Sequence, residues 1–261
     1  EAVMLNVSQQ LSKLPPGLVS IQASLSADGQ RCAARLSVVD GLTSAAIKHL
    51  CQMMVRQTAL DGAWLVHNQQ IVEAGETRLS GLIASGFSKR YRLRGGGFHQ
   101  ANPGVNEALV RTVVGEIAPK RRQRIVDMHG GAGNFGLVLA GKGADVTISE
   151  IDPWACQDLN ANASSFRGRG VVHVAEMSGA QALKRCSRRG AVDAVVFDAP
   201  RTGDAEGAQC VALVKPKRLV VLGCDPSTFA RDLKVMGLGT RYRLTRLGVW
   251  DAFPGTHHSE S

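Results

Sequence analysis

The stretch from residue 125 to residue 236 alternates short apolar runs with segments of helical periodicity, and this alternation limits the fold more than any other feature. Five runs rich in Val and Ile are predicted to be strands: 125–128, 146–150, 171–175, 192–198 and 218–223. Five further segments are predicted to be helices: 134–140, 153–163, 178–186, 205–214 and 227–236. Buried apolar strands joined by helical crossovers form a parallel sheet with helices on both faces. We therefore predict a doubly wound α/β domain, to which residues 242–249 add a sixth strand.

The first hundred residues have a different pattern, which predicts a smaller α+β domain. Residues 18–23 and 32–38 alternate around a turn containing Asp28 and Gly29, as in a hairpin. Residues 43–57 have helical spacing after a Thr/Ser start. Further strands are predicted at 63–67, 70–73 and 92–98. We expect Gly95–Gly97 to be a flexible seam, which divides the chain into domains at 1–97 and 98–261.

The net charge of the chain predicts a polyanionic partner. Its formal charge is +9 and its pI is near 9.6. Three basic runs carry much of this charge, at 89–94, 120–124 and 184–189, and we expect Arg92 and Arg94 to contact phosphates. The alternative is a solvated surface with basic loops. An aromatic content of 5% argues against a wide stacking platform for single strands.

Cysteine and histidine usage predicts a cytoplasmic protein without a metal site. The six cysteines show no CxxC and no zinc-ligand spacing, and their scatter fits a reducing compartment. The adjacent His257 and His258 lack a partner cluster. No apolar run is long enough to cross a membrane, and no signal peptide is visible. The chain begins at Glu1 rather than Met, as an excised or processed piece would.

A glycine-rich turn after the first strand of the α/β domain predicts a nucleoside site. Gly130, Gly131 and Gly133 follow Asp127 and allow a ligand close to the backbone. Glu150 ends the second strand, where a carboxylate accepts hydrogen bonds from both ribose hydroxyls. The spacing matches neither GxGxxG nor a P-loop, so a nucleoside without phosphates fits better. S-adenosylmethionine is the common ligand of this kind. Asp152 is predicted to cap the next helix.

Two segments near the end of the chain predict a nucleophile and its base. Cys224 lies directly before a predicted helix, where backbone N–H groups and the helix dipole favour a thiolate. Residues 251–260 supply carboxylates on a separate loop, and such a group acts as proton acceptor. The alternative for Cys224 is a small buried hydrophobe.

Six ordered motifs over residues 95–261 resemble those of the uracil-5-methyltransferases that modify tRNA and 23S ribosomal RNA. In family notation they are FxQxN, DLYCGxGNF with a second-strand acid, DPxRxG, SCNPxT and FPxTxHxE. Their counterparts here are Phe98–Asn102, Asp127–Phe135 with Glu150, Asp198–Gly203, Gly223–Thr228 and Phe253–Glu260. The resemblance implies a Rossmann-like class I methyltransferase fold that binds S-adenosylmethionine.

The resemblance also implies a role for each matching residue. Cys224 would be the nucleophile and Glu260 the base, while Arg201 would help to hold Asp198 or the substrate. The residues that would contact the methyl donor are Gln100, His129, Asn134, Glu150 and Asp198.

Four positions depart from the family pattern. His129 and Gly130 stand where the family has tyrosine and cysteine, and Gly223 and Asp225 replace serine and asparagine beside the nucleophile. A carboxylate at Asp225 should raise the pKa of the Cys224 thiol, unless it points into the helix N-terminus as a cap. The N-terminal RNA-binding barrel and iron–sulfur cysteine cluster of some members are not evident, so no cluster is predicted.

These motifs predict an RNA (uracil-C5)-methyltransferase that works through a covalent Cys224–carbon 6 adduct on a flipped-out uridine. Residues 1–97 would bind RNA. We favour 23S rRNA slightly over tRNA, because the Asp198–Arg201 sequence resembles ribosomal members. Two alternatives stay open. A methyltransferase acting on a base nitrogen has no need of a cysteine, and an RNA-binding protein with a degenerate site would transfer no methyl group.

Overall fold

The computed structural model describes residues 16–26, 28–80, 91–97, 100 and 102–251, and these form two compact units. The first unit contains the described residues up to 97, and the second contains those from 100 onward.

The first unit is built on a four-stranded sheet of order β1-β2-β3-β4. Its strands are β1 (Leu18–Leu25), β2 (Cys32–Val38), β3 (Gly62–His67) and β4 (Gln70–Gly75). The predicted hairpin is confirmed, because β1 and β2 pair antiparallel. Helix α1 (Ser44–Gln57) begins after Thr43, whose hydroxyl accepts a hydrogen bond from the Ala46 N–H, and it connects β2 to the parallel strand β3. Strands β5 (Arg78–Ser80) and β6 (Arg92–Arg94) form a separate antiparallel ribbon.

The glycines after β6 are packed against the sheet, so the prediction of a flexible seam at Gly95–Gly97 is wrong. The Gly95 carbonyl accepts a 2.7 Å hydrogen bond from the indole N–H of Trp64. The Gly96 N–H donates to the Ser24 hydroxyl at 2.9 Å. A Cβ atom at Gly95 or Gly96 would collide with neighbouring backbone. Glycine is therefore present because the backbones approach closely.

Arg94 is a core residue, so the expectation that it contacts phosphates is wrong. It is 4% exposed, and its guanidinium carbon lies 5.7 Å from the centre of the Trp64 ring. Its Nε lies 3.5 Å from a carboxylate oxygen of Glu73. Arg92, two residues earlier, is exposed. The strand predicted over 92–98 is also shorter than expected, since β6 ends at Arg94.

The second unit is a five-stranded parallel sheet with helices packed on it, which confirms the predicted doubly wound α/β fold. The strands are β7 (Arg124–Met128), β8 (Asp145–Glu150), β9 (Val171–Glu176), β10 (Ala194–Asp198) and β11 (Arg218–Leu222). The helices are α2 (Pro103–Ile117), α3 (Gly136–Gly141), α4 (Pro153–Ser165), α5 (Gly179–Ser187), α6 (Ala205–Val214) and α7 (Pro226–Met236). Val126 and Phe197 belong to the buried cluster between the sheet and helices α5, α6 and α7.

The strand order β11-β10-β7-β8-β9 places a topological switch between β7 and β10. From β7 the chain moves outward through β8 to β9, and it then returns to the other side through β10 and β11. Ligands of open α/β sheets bind beyond the carboxyl ends of the strands at such a point.

Two predictions for this unit need correction. Helix α2 was not predicted, although Asn102 accepts hydrogen bonds from the N–H groups of Gly104 and Val105 and Pro103 follows it. The sixth strand over 242–249 is wrong, because only Tyr242 in this range makes an isolated bridge. Leu247 is 63% exposed, so the apolar alternation there buries no common face.

Within the described ranges, no helix has both the length and the apolar content to span a membrane. In the same ranges, no cluster of three or more His, Cys, Asp or Glu side chains has the arrangement of a metal site.

Candidate active site

Four of the predicted site residues lie at the carboxyl-terminal edge of the parallel sheet. His129 follows β7, Glu150 ends β8, Asp198 ends β10, and Cys224 follows β11. Because the strands are parallel, these ends meet at one edge. Gln100 is partly exposed before α2. Glu260, together with His257 and His258, lies outside the described residues.

The glycine turn is held by a buried carboxylate that sequence reasoning did not assign a role. Asp127 is fully buried, and its Oδ2 accepts a 2.7 Å hydrogen bond from the Gly136 N–H. Its Oδ1 has no partner among the described residues. Burial, with smaller effects from Asp198 and Glu150, raises the pKa of the Asp127 carboxyl to about 8. The sequence indicates such a role by an acid next to the end of a strand that is otherwise apolar after Arg124.

The glycines of this turn make room for the side chains beneath it. A Cβ atom at Gly130 would meet the Ile148 side chain, and one at Gly136 would meet Ile148 and the Asp127 carboxylate. This explains why Gly130 replaces the cysteine of the family motif. Gly131, by contrast, has φ +54° and open space where its Cβ would be. The turn therefore presents bare backbone on its open side.

Glu150 accepts hydrogen bonds from three backbone N–H groups, one of which belongs to the glycine turn. Its Oε2 accepts a hydrogen bond from Gly131 at 3.0 Å. Its Oε1 accepts from Ile151 at 2.7 Å and from Asp152 at 2.8 Å. Each carboxylate oxygen has two lone pairs, so Oε2 retains an acceptor position. Asp152 caps α4 by accepting from Trp154 and Ala155, as predicted.

Asn134 joins the turn to helix α2. Its side-chain amide donates to Asn106 Oδ1 at 2.8 Å and accepts from Asn106 Nδ2 at 3.1 Å. This reciprocal pair fixes the first turn of α2, which follows Gln100, against the glycine turn. The assignment of Asn134 to the methyl donor stays a prediction.

The side chain of His129 contacts Asp204, a residue that sequence reasoning missed. His129 has φ +60°, and its Nε2 lies 2.9 Å from Asp204 Oδ2. The His129 ring also packs edge-on against Phe197, with 5.8 Å between ring centres. Asp204 caps α6 through the Gly207 N–H at 2.8 Å. The hydrogen bond from His129 is the largest of the effects that lower the pKa of the Asp204 carboxyl.

The loop after β10 is fastened to helix α7. The Asp204 N–H donates to Asp232 Oδ2 at 2.8 Å, and Asp232 is 2% exposed. Arg231 donates to the Thr202 carbonyl at 3.1 Å and pairs with Asp232 at 2.8 Å. The Thr228 hydroxyl donates to the Arg201 carbonyl at 3.0 Å. The loop that carries Arg201 is thereby held beside the helix that follows Cys224.

Cys224 is partly exposed immediately before the cap of α7. Of the six cysteines, four are buried, and only Cys186 and Cys224 reach the surface. Asp225 Oδ1 accepts a 2.9 Å hydrogen bond from the Thr228 N–H, so its carboxylate is the cap that the sequence left as one alternative. Hydrogen bonds from the Thr228 backbone lower the pKa of the Asp225 carboxyl most, and the charge of Arg201 adds to this.

Gly223 is explained by the ring packed against it. A Cβ atom at Gly223 would lie 2.8 Å from the Phe229 ring, which real side chains do not tolerate. In this chain the Phe229 ring occupies the space that a side chain at position 223 would need. The departures at 223 and 225 thus have local structural causes.

Comparisons with known proteins agree with this geometry. The family profile described as tRNA (Uracil-5-)-methyltransferase matches residues 66–261. A 23S rRNA (uracil(1939)-C(5))-methyltransferase RlmD from Shewanella sediminis is 36% identical over 166 residues, which cover 64% of this chain and 37% of that protein. The RlmD protein of Pseudomonas putida is 36% identical over 173 residues, with the same coverage. The chain thus spans under two fifths of the length of these curated relatives.

A solved structure supports the fold. It is the Pyrococcus abyssi tRNA (uracil-54, C5)-methyltransferase in complex with S-adenosyl-L-homocysteine, with a TM-score of 0.70 and 19% identity. The match covers 98% of this chain and 63% of that one. The Rossmann-like class I methyltransferase fold implied by the motifs is confirmed. With a family profile that extends over most of its length, the chain belongs to the tRNA (uracil-5-)-methyltransferase family.

Proposed function

We propose that this chain is the catalytic part of an S-adenosylmethionine-dependent RNA (uracil-C5)-methyltransferase, with 23S rRNA favoured over tRNA as the substrate. The observation that carries the proposal is the placement of Cys224, before a capped helix, at the sheet edge that also carries the glycine turn and Glu150. The choice of 23S rRNA is supported by the names of the curated relatives. We also propose a cytoplasmic location, because the six cysteines are free and scattered free cysteines fit a reducing compartment.

The residues at this edge suit a methyl donor that carries an adenosine. Gly131 offers open backbone, and Glu150 Oε2 keeps an acceptor position for a ribose hydroxyl. The buried Oδ1 of Asp127 supplies an unused polar atom beneath the turn. We assign Glu150 to the ribose and His129 to the border of the adenosine. Gln100, Asn134 and Asp198 then hold the methionine part or the uracil edge. The bound donor supplies an electrophilic methyl group on a sulfonium.

Cys224 is proposed to start the reaction on the RNA. Backbone N–H groups and the dipole of α7 favour its thiolate. The carboxylate of Asp225 faces Thr228, where it stabilises the helix as a cap. The Cys224 sulfur forms a bond to carbon 6 of a flipped-out uracil, and the ring becomes an enolate. Carbon 5 then takes the methyl group, while the bond between that methyl group and the donor sulfur breaks and S-adenosylhomocysteine leaves as a neutral thioether.

Glu260 is proposed to complete the reaction. The methylated adduct carries a proton on carbon 5, which Glu260 removes as a general base. The electron pair of that C–H bond reforms the ring double bond, and the bond between carbon 6 and sulfur breaks. Cys224 leaves as a thiolate, and the product is 5-methyluridine. We assign Arg201, whose loop is held beside α7, to hold Asp198 or the substrate.

Trapping with 5-fluorouridine RNA tests this function. Fluorine on carbon 5 blocks proton removal, so incubation with the methyl donor should give a covalent protein–RNA adduct that resists denaturing electrophoresis. Cys224→Ala should give none, and Cys186→Ala, which removes the other partly exposed thiol, should give as much as the parent protein. An adduct that survives Cys224→Ala would remove Cys224 from the mechanism. Methyl transfer without any adduct would favour a base nitrogen as the acceptor.

Glu260→Gln separates the two halves of the reaction. With unmodified uridine RNA, this variant should accumulate methylated adduct and release little product. Loss of the general base should reduce turnover by roughly 10²–10⁴-fold. Mass spectrometry of the protein measures the adduct, and normal turnover by the variant would show that another group takes the proton.

A further inference from the structure

Ten of the 21 Lys and Arg residues of the second unit lie in loops at the edge of the sheet opposite to the candidate active site. Each parallel strand is preceded by a loop that lies at this amino-terminal edge. The five loops are 118–123, 142–144, 166–170, 188–193 and 215–217. They contain ten Lys and Arg residues and one acid, Asp193. The ten are Lys120, Arg121, Arg122, Lys142, Arg167, Arg169, Arg188, Arg189, Lys215 and Lys217.

The loops at the carboxyl-terminal edge have the reverse composition. They follow the same strands, at 129–135, 151–152, 177–178, 199–204 and 223–225. Their only Lys or Arg is Arg201, whereas Asp152, Asp204 and Asp225 are acidic. The loops that would attract a polyanion therefore lie at the amino-terminal edge, and the residues of the proposed chemistry lie at the carboxyl-terminal edge. Two of the basic runs found in the sequence, 120–124 and 184–189, lie at or near the basic edge.

A groove runs into this basic edge between α5 and the edge strand β9. It encloses a cavity of about 490 Å³, with Thr147, His173 and one acid, Asp145, among the side chains that line it, and the His173 Nε2 lies 2.9 Å from Asp145 Oδ1. Arg185 and Arg189 line it from the α5 side, and both are exposed. In the described part of the chain neither has a carboxylate partner. Arg124 also lines the groove, and it donates to the carbonyls of Ala191 at 2.9 Å and Cys186 at 2.7 Å.

We propose that this basic edge, centred on the groove between α5 and β9, is a second RNA-binding surface that holds backbone phosphates remote from the target uridine. The choice of RNA as occupant rests on the proposed function. Guanidinium groups bind phosphate oxygens in pairs, and unpaired exposed arginines are available for this. Apart from His173 the groove has no aromatic ring, so it suits the backbone rather than stacked bases.

The extent of the surface favours a long polyanion over a single nucleotide. The ten charges are spread over five loops, and one phosphate group can contact only two or three of them. A strand of five residues such as β7 separates the two edges by roughly 16 Å. Phosphates bound at the basic edge therefore belong to nucleotides several positions away from the one at Cys224. A folded RNA can place one nucleotide at Cys224 and the phosphates of other nucleotides at the basic edge.

The salt dependence of RNA binding tests this surface. The test variant is Arg185→Glu with Arg189→Glu, and the matched control is Arg111→Glu with Lys234→Glu. The control residues are exposed on α2 and α7, outside the basic loops, and both pairs change the net charge equally. The probe is a 20-base-pair RNA stem with a uridine loop, and binding is measured without methyl donor between about 50 and 300 mM salt.

The expected result is a change in the test variant alone. Loss of two phosphate contacts should lower the slope of log affinity against log salt by roughly 1–2 and weaken binding about tenfold near 0.1 M salt. Equal slopes in the two double variants would overturn the proposal. So would inorganic phosphate or UMP that competes fully with the RNA at low millimolar concentration, because the surface would then be a small-anion site. The measurement involves no methyl transfer, so it stays readable if the proposed function fails.

Discussion

Asp127 shows how one residue can shape the site without being part of the chemistry. Its carboxyl group is fully buried under the glycine turn, and one oxygen holds the Gly136 N–H. Its raised pKa, about 8, means that the folded protein binds this proton more tightly than the unfolded chain does. The stabilisation is complete below about pH 4 and is lost as the pH rises through 8.

Asp127→Asn should remove this pH dependence. The amide keeps an acceptor for the Gly136 N–H and carries no charge. The free energy of unfolding of the variant, relative to the parent protein, should therefore increase between pH 5 and pH 8, by up to about 4 kcal/mol. Urea unfolding at several pH values measures this difference. A difference that is flat across this range would show that the Asp127 carboxyl is ionised throughout.

At the scale of elements, His129 and Asp204 link the glycine turn to helix α6, and Asp232 extends the link to α7. Three segments that carry site residues are thereby fixed to one another. Each of these contacts joins residues far apart in the chain.

Asp204→Ala should weaken both the fold and the turn. It removes the α6 cap and the partner of His129, which together should cost about 1–3 kcal/mol. The affinity for S-adenosylhomocysteine, measured by titration calorimetry, should fall by more than the unfolded fraction of the variant alone would explain. The reason is that the His129 side chain loses its anchor. Glu206→Ala is the control: Glu206 is exposed, two residues away, and its 3.7 Å contact with Lys184 is worth little. Equal effects of the two variants would contradict the link.

The strands of the second unit could be predicted from the sequence because they are buried and therefore apolar. Strands such as β10 are continuous apolar runs, and the acids and glycines at their ends marked the edge that carries the site. Helix α2 was not predicted because Asn102 was interpreted only as the end of the FxQxN motif, and its cap position before Pro103 was not used as a start signal. Residues 242–249 alternate like a strand, but alternation does not reveal whether a neighbouring strand exists to pair with.

Side-chain partners were the least predictable part of the site. Nothing near His129 in the sequence indicates Asp204, and the basic residues around Arg94 gave no sign that this one is buried beside Trp64. The cap at Asp225 could be foreseen as an alternative because it depends on residues three positions apart. Local contacts follow from the sequence, and distant ones require the fold.

At the scale of the whole molecule, the two units have separate cores, and only the second carries the glycine turn. Ile47 is fully buried in the first unit and Ile148 in the second, beneath Gly130. This pair of equal residues allows a matched comparison of the units.

Ile47→Ala and Ile148→Ala should each cost about 2–5 kcal/mol in the unit that contains them. Ile47→Ala should speed proteolysis within the first unit and leave the affinity for S-adenosylhomocysteine within about twofold. Ile148→Ala should reduce that affinity, because the turn loses its support. Limited proteolysis and calorimetry measure the two effects. A loss of affinity in Ile47→Ala as large as that in Ile148→Ala would show that the donor site depends on the first unit.

The loops at the two ends of the parallel strands differ in charge, since ten Lys and Arg residues lie in those at the amino-terminal edge and a single Arg lies in those at the carboxyl-terminal edge. Under the proposal made above, an RNA meets this basic edge first. Cys224 lies at the other edge, so the same proposal predicts that a short oligonucleotide bound at the basic edge does not reach the sulfur. We expect an RNA long enough to bend around the sheet to reach both edges, so that size and shape select the substrate before its sequence is read.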